Sequence, residues 1–237
     1  MSFPSLLRGA YDRASSLFPD FVISRQVLRM EQSLANNKSA YSFQLKQGNA
    51  STDPPLSVLL NDSDAFVLCA LSIGIKKQDT TKSPQQVGNF TVYNYVNSAI
   101  FTGVPAGQAT EAASLECIYN GKLSFRTGSL ERIRPTDTRE YKQAPDIQTA
   151  TISPFGGFGD FGRAWVEQQP TLLIDGSQNN EFTLQLGAGD YTGIAGNYTS
   201  GGATTNTALN VLVLQCLGLV IQNGAQAAKR FADSWKA

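Results

Sequence analysis

The sequence predicts a mainly β protein, a jelly-roll or β-sandwich body with N-terminal helices and a short C-terminal helix. Three observations carry that expectation. Strand-like runs with β-branched and aromatic weight recur between Gly, Pro, Asn and Ser loops through residues 39–224. No βα alternation interrupts them, which argues against a parallel α/β architecture. Helical spacing of apolar residues is confined to residues 1–38 and 225–237.

In chain order, Ser2 can cap a first helix, Pro4 sits in its first turn, and Leu6, Leu7, Ala10, Ala14, Leu17 and Phe18 follow at helical spacing until Pro19. A second helix is expected from about Ser24, carrying Val27, Leu28, Glu31 and Leu34 and ending at Asn36-Asn37. Residues 41–45, 66–75 (FVLCALSIGI) and 90–101 (FTVYNYVNSAIF) read as strands. In LECIYNGKLSFRTG, Asn120-Gly121 between two alternating runs predicts a two-residue hairpin, because both turn residues tolerate positive φ. Residues 130–134, 147–152 and 164–167 are shorter strand candidates, and QPTLLIDGSQNNEFTLQLG supplies two more at 171–175 and 181–186. LNVLVLQCLGLVI, nearly continuous in apolar content, predicts a central strand buried on both faces. The tail is an amphipathic helix with Ala228, Phe231 and Trp235 in one row. The expected organisation is an N-terminal helical segment (1–38), a β body (39–224) with candidate halves at 39–153 and 164–224, and the C-terminal helix (225–237). LLNDSDAFVL faintly echoes LLIDGSQNNEFTL, through either duplication or a shared loop-to-strand grammar.

Composition bounds the function. A chain of 237 residues buries roughly 70% of its unfolded surface on folding. Charged residues make up only 16%, and 19 basic residues cancel 19 acidic ones. That neutral balance argues against nucleic acid as the principal partner, and it suits either a self-associating surface or an ordinary β protein. Both ends are mildly basic: Arg8, Arg13, Arg25 and Arg29 near the start, Lys229, Arg230 and Lys236 near the end. They read either as solvated helix faces or as groups turned toward an anionic surface such as lipid headgroups or packaged genome.

The chain contains no histidine, which removes Ser-His-Asp and Cys-His nucleophile systems and most zinc sites. Cys69, Cys117 and Cys216 sit in apolar segments without CxxC spacing and read as small buried hydrophobes. The start has no signal-peptide pattern, and the longest apolar run is too short for a bilayer. The expectation is a soluble protein made in a reducing cytoplasm, with no cofactor.

GGFGDFGRAW (156–165) contains both the dinucleotide pattern G-x-G-x-x-G and a kinase-like Asp-Phe-Gly. The first needs a preceding strand and a following helix, but Pro154 and Pro170 flank it. The second needs an upstream His-Arg-Asp, which a chain without histidine lacks. The stretch reads instead as a flexible crossover presenting Phe155, Phe158 and Phe161, either to a neighbouring subunit or back onto its own sheet. GAGDYTGIAGNYTSGG (187–202) reads as a long exposed loop. NDSD (61–64) is a turn or cap, since it lacks the glycine and terminal glutamate of a calcium loop. Glu167, Asp175 and Glu181 could place two carboxylates across a cleft, or be solvated strand ends. Trp165, Tyr191 and Tyr198 could stack on sugars, or simply pack.

The segments LLNDSDAFVLCALSIGIKK, ASLECIYNGKLSFRTGSLERIRP and QPTLLIDGSQNNEFTLQLG, in that order, resemble coat proteins of icosahedral bacterial viruses over residues of about 55–225. The resemblance implies a single or compact double jelly roll that forms virion shells through trimers or pseudo-hexamers, without catalysis or a small-molecule substrate. It implies contacts with copies of itself and with other virion proteins. It also implies that basic terminal helices, with Arg8, Arg13, Lys229 and Arg230, face the particle interior, where genome or an internal membrane lies. Assembly contacts are expected at Phe155, Phe158, Phe161, Phe231 and Trp235. Two other readings stand beside it: a spike or tail-associated carbohydrate-binding module, and a β-sandwich glycosidase.

Overall fold

The computed structural model describes residues 3–46, 57–79, 92–98, 100–103, 109–143, 165–196, 198–200, 203–206, 208–231 and 235. The first helix, α1 (Phe3–Leu17), forms as the spacing predicts and puts Leu6, Ala10 and Ala14 on one buried face. Its next residue, Phe18, is 1% exposed and closes that face before Pro19.

The second expected helix is a strand, β1 (Ile23–Ser33). Val27, Leu28, Glu31 and Leu34 fit a helical stripe, but Leu28 and Met30 fit an alternating one equally well. The long partner β10 (Ala208–Ile221) decides between them, by pairing with β1 from Ile23↔Ile221 to Ser33↔Val211. Residues 1–38 are therefore not a helical unit, and the β body reaches back to residue 23.

β2 (Ala40–Gln44) and β3 (Ala65–Asp79) follow. The expected strand at 90–101 is, among the described residues, a single bridge from Tyr93 to Ile75. Asn94 donates to Ser72 Oγ and the Ile73 carbonyl, and Phe101 N donates to the Asn97 carbonyl, so the chain turns here instead of extending.

The hairpin expected at Asn120-Gly121 is absent. Glu111–Leu115 forms the short helix α2, and Glu116–Asn120 continues as a 3₁₀ turn. The tight turn lies one strand later, between β4 (Lys122–Thr127) and β5 (Leu130–Asp137). There Thr127 pairs with Leu130, and Gly128 adopts φ +57°. That conformation favours glycine, as hairpin turns of this length require. Thr110 caps α2 by accepting from Ala113 N, and this committed LECIYN to helix.

The candidates at 164–167 and 171–175 are one strand, β6 (Val166–Asp175), which bulges between the partners of Leu68 and Ala70. β7 (Asn180–Gln185), a short hairpin of β8 (Tyr198–Ser200) with β9 (Ala203–Asn206), and the helix α3 (Ala225–Phe231) complete the order. Residues 187–202 are not simply an exposed loop, because Ile194 and Ala195 are buried. The candidate strand at 147–152 lies outside the described residues.

Two four-stranded antiparallel sheets result. Sheet A has the order β1-β10-β3-β6, and sheet B the order β2-β7-β4-β5. Set the β8–β9 hairpin aside and the pairing is nested: first strand with last, second with second-last, third with sixth, fourth with fifth. The chain is thus a long antiparallel ribbon folded over on itself, and the β3–β10 and β4–β7 ladders close it into two sheets. Strands from both expected halves mix in both sheets, so 39–153 and 164–224 are not separate units.

The main core lies between the sheets. Phe66, Leu68, Leu71, Ile73 and Ile75 of β3 face Tyr41, Phe43, Leu123, Phe125, Phe182 and Leu184 of sheet B. Phe125 and Phe182 stack with centroids 4.3 Å apart. On β3 the inward residues are even-numbered up to Leu68 and odd-numbered from Leu71, because the ladder with β10 skips Cys69. A bulge adds one residue and reverses the pleat. A second core covers the opposite face of sheet A. There Ala65, Val67, Cys69, Leu173, Leu219 and Ile221 meet Leu6, Ala10, Ala14 and Phe18, together with Ala228 and Trp235. The layers run helices, sheet A, sheet B.

Candidate functional site

The helix layer gathers most of the residues singled out in the terminal segments. Phe231 meets Phe18 edge-on at 5.2 Å, and Trp235 is 3% exposed. The indole of Trp235 donates to the Thr171 carbonyl in the β6 bulge at 2.9 Å, and the Arg13 guanidinium lies 5.0 Å from its ring. The row of Ala228, Phe231 and Trp235 therefore exists but packs on its own chain. Trp235 is a clasp between the C-terminal segment and sheet A, and its burial removes it as an assembly contact. Arg8 and Arg230 are exposed, and Lys229 Nζ lies 3.8 Å from Asp175 Oδ2. Phe155, Phe158 and Phe161 lie outside the described residues. Trp165 is buried against Ala70 and Leu217, with Leu7 and Val27 packed alongside.

The three carboxylates are each committed locally. Asp175 accepts from Ser177 N at 2.9 Å and Ser177 Oγ at 2.8 Å, closing the turn into β7. Glu181 is paired with Arg126 on the outer face of sheet B. Burial pushes its carboxyl up, but hydrogen bonds from Arg126 and Ser42 and the Arg126 charge outweigh that and hold it below the ordinary range. Glu167 accepts from Gln169 Nε2 at 3.1 Å. Among the described residues nothing joins the three into a catalytic pair, and Glu167 and Asp175 lie on sheet A while Glu181 lies on sheet B. NDSD is a turn in which Asp64 Oδ1 accepts from Asn223 N at 2.8 Å, tying the start of β3 to the start of α3. Tyr191 donates its hydroxyl to the Gly187 carbonyl and packs against the main core. The Tyr198 side chain is outside the described residues.

The three cysteines are free and buried. Burial pushes the Cys69 and Cys117 thiols up to about 12 and Cys216 higher still, so none is a nucleophile near neutrality. Among the described residues no group of three or more His, Cys, Asp or Glu converges to hold a metal ion, and no helix is long and apolar enough to cross a membrane.

Two buried ionic clusters had no expectation attached. They sit back to back where Lys76 and Lys77 end the apolar stretch of β3. On the helix side Lys76, 2% exposed, pairs with Glu31, and Glu31 also binds Arg29 Nε at 2.6 Å. Burial holds the Lys76 ammonium below the ordinary lysine range, and the hydrogen bond and charge of Glu31 offset this in part. On the other side Lys77 Nζ lies 3.1 Å from both carboxylate oxygens of Glu111. Glu111 Oε1 also accepts from Asn210 Nδ2 at 2.7 Å, and Oε2 from Gly103 N at 2.8 Å. The sequence did carry signals: two lysines closing an apolar run, and an asparagine interrupting the most apolar strand.

The architecture defines the class: a mainly β protein whose two antiparallel four-stranded sheets pack as a sandwich, with one sheet covered by helices. No protein-family model matches the chain, and no curated protein matches it significantly.

Proposed function

We propose that the chain is a virion structural protein, the shell subunit of an icosahedral bacterial virus, built as a single jelly roll and assembling through trimers. The observation that carries this reading is the strand order. With the eight principal strands numbered along the chain, the sheets read 1-8-3-6 and 2-7-4-5, the nested pairing of a double-sheet jelly roll, an architecture recurrent in viral capsids. One such set of eight strands among the described residues supports one roll. Lectins and cupins use the same architecture, so the reading also rests on the sites. The carboxylates a glycosidase would need are tied into local turns and pairs. Of the three aromatics a glycan-binding module would offer, Trp165 is buried and Tyr191 is engaged.

The helix layer, with Arg8, Lys229 and Arg230 at exposed positions, is the face we assign to the particle interior, toward genome or membrane. Lateral contacts then fall to the loops and sheet ends, because Trp235 is already used within the subunit. Individually weak contacts repeated by symmetry close a shell.

Sedimentation velocity and negative-stain electron microscopy of the purified chain test this directly. Trimers or closed particles are the expected result. A species that stays monomeric at every concentration and binds or cleaves an oligosaccharide would overturn it.

A further inference from the structure

We propose that Lys77 and Asn210 become covalently joined. The lysine amine displaces ammonia from the asparagine side-chain amide, with Glu111 as general acid and base, leaving an isopeptide bond between β3 and β10. The inference is independent of the viral reading.

The register makes Lys77 and Asn210 direct cross-strand partners, and both side chains reach the same carboxylate. Glu111 Oε1 is 3.1 Å from Lys77 Nζ and 2.7 Å from Asn210 Nδ2, so the attacking and the leaving nitrogen meet on one oxygen. The side chains of Lys77 and Glu111 are 13% and 1% exposed, and Asn210 is fully buried. The Phe101 ring lies 5.9 Å from Nζ. Asn210 Nδ2 also donates to the Ile194 carbonyl at 3.1 Å, and Lys77 Nζ to the Ile100 carbonyl at 3.3 Å. Gly196, at φ +79°, lies so close to the amide that a Cβ there would come within 2.9 Å of Asn210 Cγ, Nδ2 and Oδ1. The amide is therefore held in place, while its Oδ1 is buried without a partner among the described residues. Lys76 next door makes a different cluster, an ion pair with Glu31, which also binds Arg29.

Amide aminolysis is slow in water because amine, amide and proton carrier must meet and the amine is protonated. Here the three are fixed together away from water, the setting in which positioning and proton transfer accelerate most. Glu111 removes a proton from the Lys77 ammonium, and the freed Nζ lone pair forms a bond to Asn210 Cγ. Oδ1 takes up the carbonyl electron pair. Glu111 returns the first proton to Nδ2, making it a leaving group. The Cγ–Nδ2 bond then breaks as the carbonyl re-forms, and Glu111 passes a second proton from Nζ to the released ammonia, which leaves as ammonium. Five protons on two nitrogens remain five, one on the new amide and four on ammonium, and nothing is oxidised or reduced.

Intact-mass spectrometry of the full chain tests this. The expected mass is lower than the sequence requires by one ammonia. A tryptic digest should contain a branched peptide joining Lys77 to residue 210, with no cleavage after Lys77. Glu111→Gln and Lys77→Arg should abolish both signatures. Asn210→Asp should still cross-link, now with loss of water. A wild-type chain of full mass overturns the proposal, as does an ammonia loss that persists in Asn210→Ala. The wild-type mass decides even if a variant fails to fold.

Discussion

Sheet A and sheet B have the same number of strands and opposite surroundings. Sheet A is covered on both faces, by the inter-sheet core on one side and the α1–α3 layer on the other, so on β3 and β10 both parities are apolar. Sheet B buries apolar side chains on only one parity. Its outer face carries cross-strand rows of short or charged groups, such as Ser42–Thr183–Ser124 and Gln44–Glu181–Arg126–Glu131. A sheet with one wet face needs alternation, and a sheet with none needs a continuous apolar run. The teaching is that strand hydrophobicity here reports the number of layers, not the distance from the middle of the chain.

Substitutions can break this comparison, beginning with the largest effect. Val67→Asp puts a charge under the helix layer and should cost more than about 4 kcal/mol, seen as loss of cooperative urea unfolding. Phe182→Ala removes a ring stacked in the shared core and should lower stability by about 3–5 kcal/mol in the same assay. Trp235→Phe keeps a ring beside Arg13 but loses the indole bond to Thr171, a loss of about 1 kcal/mol. Thr183→Val, on the wet face of sheet B, should change stability by less than about 0.5 kcal/mol. If Thr183→Val proved as damaging as Phe182→Ala, the outer face of sheet B would have to be covered too.

Proton linkage sharpens the same contrast, because Cys69 and Cys216 both belong to sheet A. The unfolded chain releases the Cys69 proton near the ordinary thiol value of 9.0, while the folded chain holds it to about 12. Unfolding therefore releases protons in that window. The stability from this group is whole below pH 9 and is lost as the pH rises toward 12. Tyr119 and Tyr141, also raised by burial, act in the same direction. Thermal melts should show a level midpoint near neutrality and a fall above pH 9, and Cys69→Ala should make that fall shallower.

Legibility followed the same division. α1, α3, β3 and β10 could be read because each carries an unambiguous apolar period or run. β1 could not, since Val27, Leu28, Met30, Glu31 and Leu34 satisfy helical and alternating patterns together. The apparent hairpin at Asn120-Gly121 failed because a capped helix upstream claimed LECIYN, and Gly128 made the turn instead. Of the site residues, the packing row of Ala228, Phe231 and Trp235 was visible as a stripe, but its partner was not. Lys77, Glu111 and Asn210 are so far apart in sequence that no local pattern connects them.

The sequence alone determined that this would be a neutral, histidine-free, strand-rich chain with helical ends and inert thiols, because composition and local period act residue by residue. Tertiary structure decided which strands became neighbours, what each apolar face met, and that a lysine, a glutamate and an asparagine would share one buried spot. Those outcomes depend on register between distant segments, and register is settled only when whole faces are buried together.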